Sequence, residues 1–162
     1  MSMTVGPGLS NFVKKLEDFQ GENVAGKCVY VGAGILIEEV KKQVDNIPTR
    51  KAASQKNPGE KVTGLTEEQK RGIRDGLGIS RAKVDGDEVN VTIGVDGYNN
   101  TKTKRWPQGQ PNAMVARSIE KGTNWLNRHA FVAPAYRSAK DAAEKAMAEE
   151  YDKEVERIMG GN

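Results

Sequence analysis

The 162-residue sequence contains one cysteine, Cys28, and one histidine, His129. One cysteine cannot form an internal disulfide or a cysteine-built zinc site, and one histidine cannot form a histidine cluster within one chain. The longest apolar stretch, residues 29–37, is interrupted by glycines and is shorter than the roughly 20 residues of a membrane helix. Residues 1–10 lack the basic and then apolar pattern of a signal peptide. The sequence therefore favours a cytosolic origin without a membrane segment.

Aromatic residues make up only 6% of the chain and apolar residues 36%, whereas 29% of the residues are charged and 18 are glycine. This composition predicts a small core and a fair share of exposed or irregular segments. A length of 162 residues suits one ordinary domain. We therefore expect a single domain over residues 1–162, with a flexible N-terminus (1–9) and exposed loops at 49–63 and 97–112.

Apolar spacing predicts two helices in the first part of the chain. Ser10 can cap a short helix. Its apolar residues recur every three or four positions and are Phe12, Val13, Leu16 and Phe19. A longer helix is predicted from residue 23 to residue 47, with its end marked by Pro48. The apolar stripe of this helix comprises Val29, Ala33, Leu36, Val40, Val44 and Ile47.

The middle of the chain predicts a short helix and a β-hairpin. Thr66 and Gln69 form a capping-box pattern, which predicts a helix over residues 66–75. From Val89 to Val95 every second residue is apolar, and Asp85-Gly86 lies where a hairpin turn is expected. This alternation predicts a hairpin with one side facing solvent.

The last part of the chain predicts a long C-terminal helix. Residues 113–121 come first, as a short helix or a strand. Pro134 suits the first turn of the long helix, because an N–H group is not needed there. The apolar stripe of this helix comprises Tyr136, Ala139, Ala143, Met147, Tyr151, Val155 and Ile158. The expected fold class is therefore α+β, in which a small antiparallel β-sheet, the hairpin of residues 79–95, packs with a long helix near the N-terminus and a long C-terminal helix.

Three patterns that can indicate enzymes or ligand sites have simpler structural explanations. The segment VYVGAGILIEEV (residues 29–40) resembles a dinucleotide-binding fingerprint, but Ile37 replaces its third glycine, so small residues that let a helix pack closely explain it better. His129 has no nucleophile elbow or glycine-rich oxyanion loop beside it. Asp85, Asp87 and Glu88 lack the spacing of a calcium loop and are typical of a turn. We therefore expect no catalytic, cofactor-binding or metal-binding residues and no enzyme activity.

Charge is distributed unevenly along the chain. Residues 41–83 contain eleven lysines and arginines and five acidic residues, whereas residues 138–159 contain four and seven. In a head-to-tail oligomer, the basic surface of one subunit could face the acidic helix of the next. Alternatively, a basic loop faces a polyanion. Phosphates and a base could be contacted by Lys102, Lys104, Arg105 and Trp106, so the alternative function is that of a small basic nucleic-acid-binding protein.

Four motifs follow one another in a characteristic order. They are Thr63-Gly64-Leu65, the hairpin from Ile79 to Val95, Glu120-Lys121-Gly122-Thr123 at the end of a helix, and Phe131-Val132-Ala133-Pro134-Ala135 before a long last helix. In this order, over most of its length, the chain resembles the neck and tail-completion proteins of long-tailed bacteriophages, often called minor capsid or tail-component proteins. It departs from the usual family pattern at Ser118-Ile119, where an aromatic residue is common, and at Ala133, where arginine is common. It also departs at Leu65, which follows the Thr-Gly pair directly instead of after a spacer.

The resemblance implies a structural virion protein of the head–tail junction. Such a protein forms a homo-oligomeric ring, six- or twelve-fold, which contacts the phage head-closure or connector protein on one side and the tail terminator or tail tube protein on the other. Non-specific contact with DNA in the channel is also implied. The expected location is the virion neck or tail, and the host cytoplasm during assembly.

On this interpretation the clustered motifs form an architectural joint. Its expected residues are Glu120, Gly122, Thr123, Phe131, Pro134 and Tyr136. Gly122 permits a sharp reversal, and Thr123 caps or bonds locally. Phe131 anchors the segment before Pro134 starts the last helix. Glu120 is expected to tie the turn or a neighbouring subunit.

Overall fold

The computed structural model describes residues 24–51, 59–86 and 88–160. The helices and strands, in chain order, are α1 (Val24–Asp45), α2 (Glu67–Gly76), β1 (Leu77–Ile79), β2 (Lys83–Asp85), β3 (Glu88–Asn90), β4 (Ile93–Val95), β5 (Tyr98–Asn99), β6 (Gln110–Pro111), α3 (Asn112–Lys121) and α4 (Val132–Gly160). The long helices α1 and α4 pack against each other beside small antiparallel sheets, which confirms the α+β prediction. The short helix predicted after Ser10 and the flexible N-terminus predicted at 1–9 lie outside the described residues.

Small side chains allow α1 and α4 to approach each other closely. Gly32 of α1 lies against α4, since a Cβ atom added to it would come 2.7 Å from Cγ of Met147. The interpretation of residues 29–40 as a closely packed helix is therefore confirmed. Near the C-terminal end of α4, the buried carboxylate of Glu154 accepts hydrogen bonds from Lys27 (2.7 Å) and Arg157 (2.8 Å). Glu154 is thus paired, as a buried charge must be.

The apolar stripe predicted for the last helix is partly wrong. Tyr136 and Tyr151 are 53% and 49% exposed, whereas Ala139 and Ala143 are buried. Three of the buried residues of α4 are alanines, Ala135, Ala139 and Ala143, and a tyrosine ring in their place would force the helices apart. The tyrosines therefore lie beside the contact, and alanines hold the buried positions in this part of α4.

The predicted hairpin of residues 79–95 forms as two short ladders. β1 pairs with β4, and β2 pairs with β3. Three residues (80–82) lie opposite two (91–92), which is a β-bulge. The hydroxyl of Tyr30 in α1 fills the bulge, because it donates to the Ser80 carbonyl (2.8 Å) and accepts from the Ala82 amide (2.9 Å).

The main core lies between the second half of α1, helices α2 and α3, and the segments around them. Its most deeply buried large side chains are Val44, Leu65, Ile73, Ile119 and Leu126. The predicted capping box begins α2, where the side chains of Thr66 and Gln69 each accept a hydrogen bond from the backbone amide of the other. Residues 113–121, predicted as helix or strand, lie in helix α3.

Both predicted exposed loops have buried parts. In the first loop (49–63), of which residues 52–58 lie outside the described ranges, Val62 is buried and its amide donates to the Trp125 carbonyl at 2.8 Å. The second (97–112) contains the β5–β6 pair and the buried Asn99 and Asn112. Both loop predictions were too wide, because single-residue bridges and buried asparagines produce no apolar periodicity.

Across the described ranges, no helix combines the length and the apolar composition that a membrane span requires.

Candidate functional site

Glu120, in the last turn of α3, ties the end of that helix to the start of α4. Its carboxylate oxygen Oε2 accepts hydrogen bonds from the backbone amides of Phe131 (2.8 Å) and Val132 (3.2 Å). Val132 is the first residue of α4. The first amides of a helix have no partner within the helix, and a negative charge beside them also interacts favourably with the helix dipole. Glu120 therefore caps α4 from the neighbouring helix.

Gly122 reverses the chain directly after α3. Its φ and ψ angles are 75° and 163°, a combination that L side chains rarely adopt. The approach is also close, since a Cβ atom there would come 3.1 Å from Cβ of Arg128. After the reversal, the amide of His129 donates to the Ile119 carbonyl at 2.9 Å. The segment thus runs back along the end of α3.

Thr123 closes the turn that follows. Its hydroxyl oxygen accepts hydrogen bonds from the amides of Trp125 (3.3 Å) and Leu126 (3.0 Å), and its own amide donates to the Leu126 carbonyl (2.9 Å). This turn directs Leu126 into the core, where it is 1% exposed, and leaves Trp125 43% exposed. The turn at Thr123 and the bridge between Val62 and Leu126 together hold Leu126 toward the core and Trp125 toward the surface.

The same turn contacts the Thr63-Gly64-Leu65 segment. The Asn127 side chain donates to the Thr63 hydroxyl at 2.8 Å, and the Asn127 amide donates to the Val62 carbonyl at 2.8 Å. Sequence reasoning missed both Val62 and Asn127. No local sequence pattern predicts a backbone bridge between residues that are more than 60 positions apart.

Gly64 and Leu65 continue this contact to the end of α1. Leu65 is 1% exposed, and its amide donates to the Pro48 carbonyl at 2.9 Å. The backbone of Gly64 has φ 83° and passes so close to the Pro48 carbonyl that no side chain fits. Arg50 Nε donates to the Gly64 carbonyl at 3.2 Å, and burial lowers the pKa of the Arg50 guanidinium below its usual range. In the structure the joint comprises residues 62–65, 120–127 and 131–135, whereas Tyr136, predicted as part of it, lies exposed outside these ranges.

Phe131 and Pro134 begin α4 in different ways. The Phe131 side chain is 3% exposed and belongs to the main core, and its carbonyl accepts from the Ala135 amide at 3.1 Å. Pro134 is the third residue of the helix, where an N–H group would have no intrahelical acceptor. Tyr136 differs from both because its side chain lies at the surface, 53% exposed.

An apolar groove of about 340 Å³ borders the joint. Its walls come from α1, the β1–β4 ladder, α3 and the first turns of α4. Val132 and Tyr136 line it from α4, and Phe131 lines it directly before that helix. Arg117 and Glu120 line it from α3. The groove therefore connects the buried part of the joint to the protein surface.

The predicted polyanion contact lies in the connection between β5 and β6. Lys102, Lys104 and Arg105 are exposed, and Trp106 is half-buried. The guanidinium carbon of Arg105 is 5.7 Å from the centroid of the Trp106 ring, within the range of a cation–π contact. The ring face is thus shared with a cation of the same chain.

Residues that could hold a metal ion do not cluster within the described ranges, where no group of three or more histidine, cysteine, aspartate or glutamate side chains has suitable geometry. His129 lies next to the joint, and its backbone amide is bonded to Ile119. The arrangement at the joint fixes helices relative to one another by capping, burial and backbone bridges.

Comparisons with protein-family models, with curated proteins and with solved structures gave no match to this chain.

Proposed function

We propose that this chain is a structural protein of the head–tail junction of a long-tailed bacteriophage, where copies form a six- or twelve-fold ring that joins the head connector to the tail. One observation carries the proposal. Residues 63–65, one of the motifs on which the family resemblance depends, lie more than 50 positions before the motifs at 120–123 and 131–135. Even so, Leu65 and Phe131 share the main core, Glu120 is bonded to Phe131, and Thr63 is bonded to Asn127 between the two later motifs. Motifs that resemble one family and also meet in space support a shared architectural role.

The joint suits a ring subunit because it fixes the direction of α4. Glu120 caps the helix, Phe131 anchors its first turn in the core, and Asn127 bonds the connecting turn to Thr63. A closed ring requires the same rotation between successive subunits, and a change in that rotation gives an open assembly instead. A rigid helix direction therefore favours closure.

In this proposal the ring contacts the head-closure or connector protein on one face and the tail terminator or tail tube protein on the other. DNA in the channel meets it only through non-specific contacts with basic side chains. The protein is located in the neck or tail of the virion, and in the host cytoplasm during assembly. The proposal requires no catalytic residue, cofactor or metal.

Deletion of the gene from its parent phage or prophage, followed by induction and negative-stain electron microscopy of the lysate, tests this role. The expected result is filled heads beside unattached or abnormal tails. Complementation with the wild-type gene should restore joined particles, and so should Glu144→Ala, a change at an exposed position of α4. Joined, infectious particles from the deletion strain would rule out the neck assignment.

The alternative, a small basic nucleic-acid-binding protein, is favoured by the Lys102–Trp106 loop, which combines three exposed cations with an indole ring. A binder of this kind loses affinity steeply as salt rises, because binding releases counterions from phosphates. Fluorescence anisotropy with single- and double-stranded DNA at several salt concentrations separates the two functions. Tight, salt-dependent binding that Lys104→Ala and Arg105→Ala both weaken would favour the alternative. Weak binding that these changes leave unaltered would favour the neck protein.

A further inference from the structure

We infer that residues 10–20 of this chain form a helix that lies antiparallel to α1 and covers an apolar strip on the side of α1, from its first turn to the edge of the groove. The occupant is a segment that precedes the described residues. The contact forms within one chain and is independent of the proposed ring.

Residues 10–20 carry an apolar face that needs a partner. Phe12, Val13, Leu16 and Phe19 recur at helical spacing, and they include two of the three phenylalanines of the chain. A helix of about eleven residues is marginal in water, and most of the stability of such a helix comes from packing of its apolar face. The segment therefore requires an apolar surface elsewhere in the protein.

One side of α1 offers such a surface. Ala25, Val29 and Leu36 are separated by four and seven positions, so they share one side of the helix, which we call the strip. Val29 and Leu36 were predicted in the buried stripe of α1, but the structure leaves both only half-buried, and Ala25 is exposed. Leu36 also lines the apolar groove. The described residues thus leave an apolar strip partly uncovered between the start of α1 and the groove.

The neighbouring sides of α1 are taken by other contacts. Gly32 lies against Met147 of α4, and the hydroxyl of Tyr30 is bonded to the hairpin bulge. With about 3.6 residues per turn, the strip lies between these two contacts around the helix. The opposite side of α1 is charged, since Nζ of Lys41 is 2.7 Å from Oε1 of Glu38. The strip is therefore the side of α1 that suits an apolar helix.

The connection to α1 keeps the segment near this strip. Only residues 20–23 separate Phe19 from Val24, the first residue of α1, so Phe19 lies within about 17 Å of that end of the helix. There Val24 and Cys28 are buried with Ile158 in a small apolar cluster. Two helices joined by so short a connection are usually antiparallel neighbours. The segment therefore runs back along α1 in the direction of the groove.

The lengths of the two helices agree with this position. From Val24 to Leu36, α1 rises by about 18 Å, and from Phe12 to residue 20 the segment rises by about 12 Å. When residue 20 is level with Val24, the difference of about 6 Å is close to the length of a phenylalanine side chain. Helical side chains point toward the N-terminus of their helix, which is here the direction of Leu36. The ring of Phe12 therefore meets Leu36 at the edge of the groove.

Cysteine cross-linking tests this position. Leu16 is expected at nearly the same level as Val29, so in a Cys28→Ala background the full chain with Leu16→Cys and Val29→Cys should form an intramolecular disulfide. Leu16→Cys with Val31→Cys is the matched control, because Val31 is also half-buried but lies two positions further on, on the opposite side of α1. Since a disulfide needs Cα atoms within about 7 Å of each other, the Val29 pair should form about tenfold faster or more. Circular dichroism checks that both variants fold.

Hydrogen exchange on the unmodified chain gives a second test. The amides of residues 15–20 should exchange about tenfold more slowly, or more, than in the unfolded chain, because they are bonded within the helix. Phe12→Ala and Phe19→Ala should each remove most of this protection and lower the thermal midpoint by about 4 °C or more. Lys14→Ala is the matched control and should change neither value, because Lys14 lies on the polar face of the segment.

Three results would overturn this contact. The first is an equal rate of disulfide formation for the Val29 and Val31 pairs, and the second is exchange of residues 15–20 as fast as in the unfolded chain. The third is a disulfide that joins two chains, seen as a dimer on a non-reducing gel, which would indicate exchange of the segment between copies. Joined or unjoined phage particles bear on the neck function alone, so the two proposals can fail separately.

Discussion

The carboxylate of Glu120 and the backbone amide of Phe131 are 2.8 Å apart, and this hydrogen bond joins the last turn of α3 to the residue directly before α4. The Phe131 side chain is also buried in the core. The backbone of Phe131 is therefore bonded to α3, whereas its side chain is packed in the main core. The direction in which the 29-residue helix leaves the core depends on this pair of contacts.

Removal of the Glu120 carboxylate should destabilise the protein. Glu120→Ala leaves two amides at the start of α4 without their acceptor and should lower the free energy of unfolding by about 1–2 kcal/mol. Glu120→Gln keeps an acceptor but loses the charge near the helix dipole, so its cost should be about 0.3–1 kcal/mol. Urea unfolding measures both values. Glu144→Ala is the control, and a loss at Glu120→Ala no larger than the control's would contradict the capping role.

Substitution of Gly64 should be far more costly than substitution of Gly78. At Gly64 the backbone has φ 83°, and a Cβ atom would overlap the Pro48 carbonyl, so Gly64→Ala should cost about 2 kcal/mol or more. At Gly78 no atom lies within 4 Å of the added Cβ, and the change should be nearly neutral. Thermal and urea unfolding of the two variants give the comparison. Equal stabilities would show that the contact between Gly64 and Pro48 does not constrain the joint.

Regular apolar spacing explains which parts of the fold could be predicted. The spacing of apolar residues is regular over enough positions to predict the structure in three places. These are helix α1, helix α4 and the strand pattern from Val89 to Val95. The capping box before α2 is a local signal of four residues. Each of these features depends on neighbours in the sequence, and all of them were found.

Features that depend on distant partners were missed. The Asn99 side chain donates to Asn112 at 3.1 Å inside the protein, and Lys70 is buried with its ammonium group bonded to the Asp45 carbonyl at 2.9 Å. Polar residues such as these resemble loop residues in a sequence, because their burial depends on a partner that only the fold supplies. The bulge has a signal in the sequence, because the apolar positions change from odd (Ile79) to even (Ala82) numbers, but a plain hairpin was predicted.

Within the candidate site, the contacts of the predicted residues could not be derived from the sequence. The motif order pointed to Glu120 and Phe131, but the cap from one helix to the next spans eleven residues and follows no local capping pattern. Tyr136 was grouped with the joint, yet it lies on the surface beside the groove.

Phe131 and Tyr136 should therefore respond differently to truncation. Phe131→Ala empties a core position that is 3% exposed and should cost about 3–5 kcal/mol. Tyr136→Ala removes a half-exposed ring and should change the free energy of unfolding by less than about 1 kcal/mol. Urea unfolding distinguishes them, with Phe131→Leu as a milder core change. If Tyr136→Ala proved as costly as Phe131→Ala, the ring would have to be buried in the folded chain.

The Tyr30 hydroxyl should stabilise the hairpin bulge. Tyr30→Phe keeps the ring but removes the hydrogen bonds to Ser80 and Ala82, so it should cost about 0.5–1.5 kcal/mol. Hydrogen exchange at the Ala82 amide should become faster, because that amide loses its acceptor. Tyr98→Phe is a suitable control, since Tyr98 is 70% exposed. Unchanged exchange at Ala82 in Tyr30→Phe would mean that the bulge does not depend on the hydroxyl.

Cys28 should make stability sensitive to alkaline pH. Burial between α1 and α4 raises the pKa of the Cys28 thiol above its ordinary value of 9.0, and the nearby carboxylates of Glu150 and Glu154 raise it further. The thiol of the unfolded chain therefore ionises first as the pH rises. Its contribution to stability is fully present below 9.0 and is lost as the pH rises toward the higher pKa of the folded state.

Urea unfolding at a series of pH values, for the wild type and for Cys28→Ala, isolates this contribution from the titration of tyrosine and lysine residues. The wild type should lose more stability than the variant above pH 9.0. The native thiol should also react slowly with a disulfide reagent at neutral pH and rapidly in urea, because the reactive species is the thiolate and the side chain is only 7% exposed. Parallel pH profiles together with fast native labelling would place Cys28 outside the contact between the two long helices.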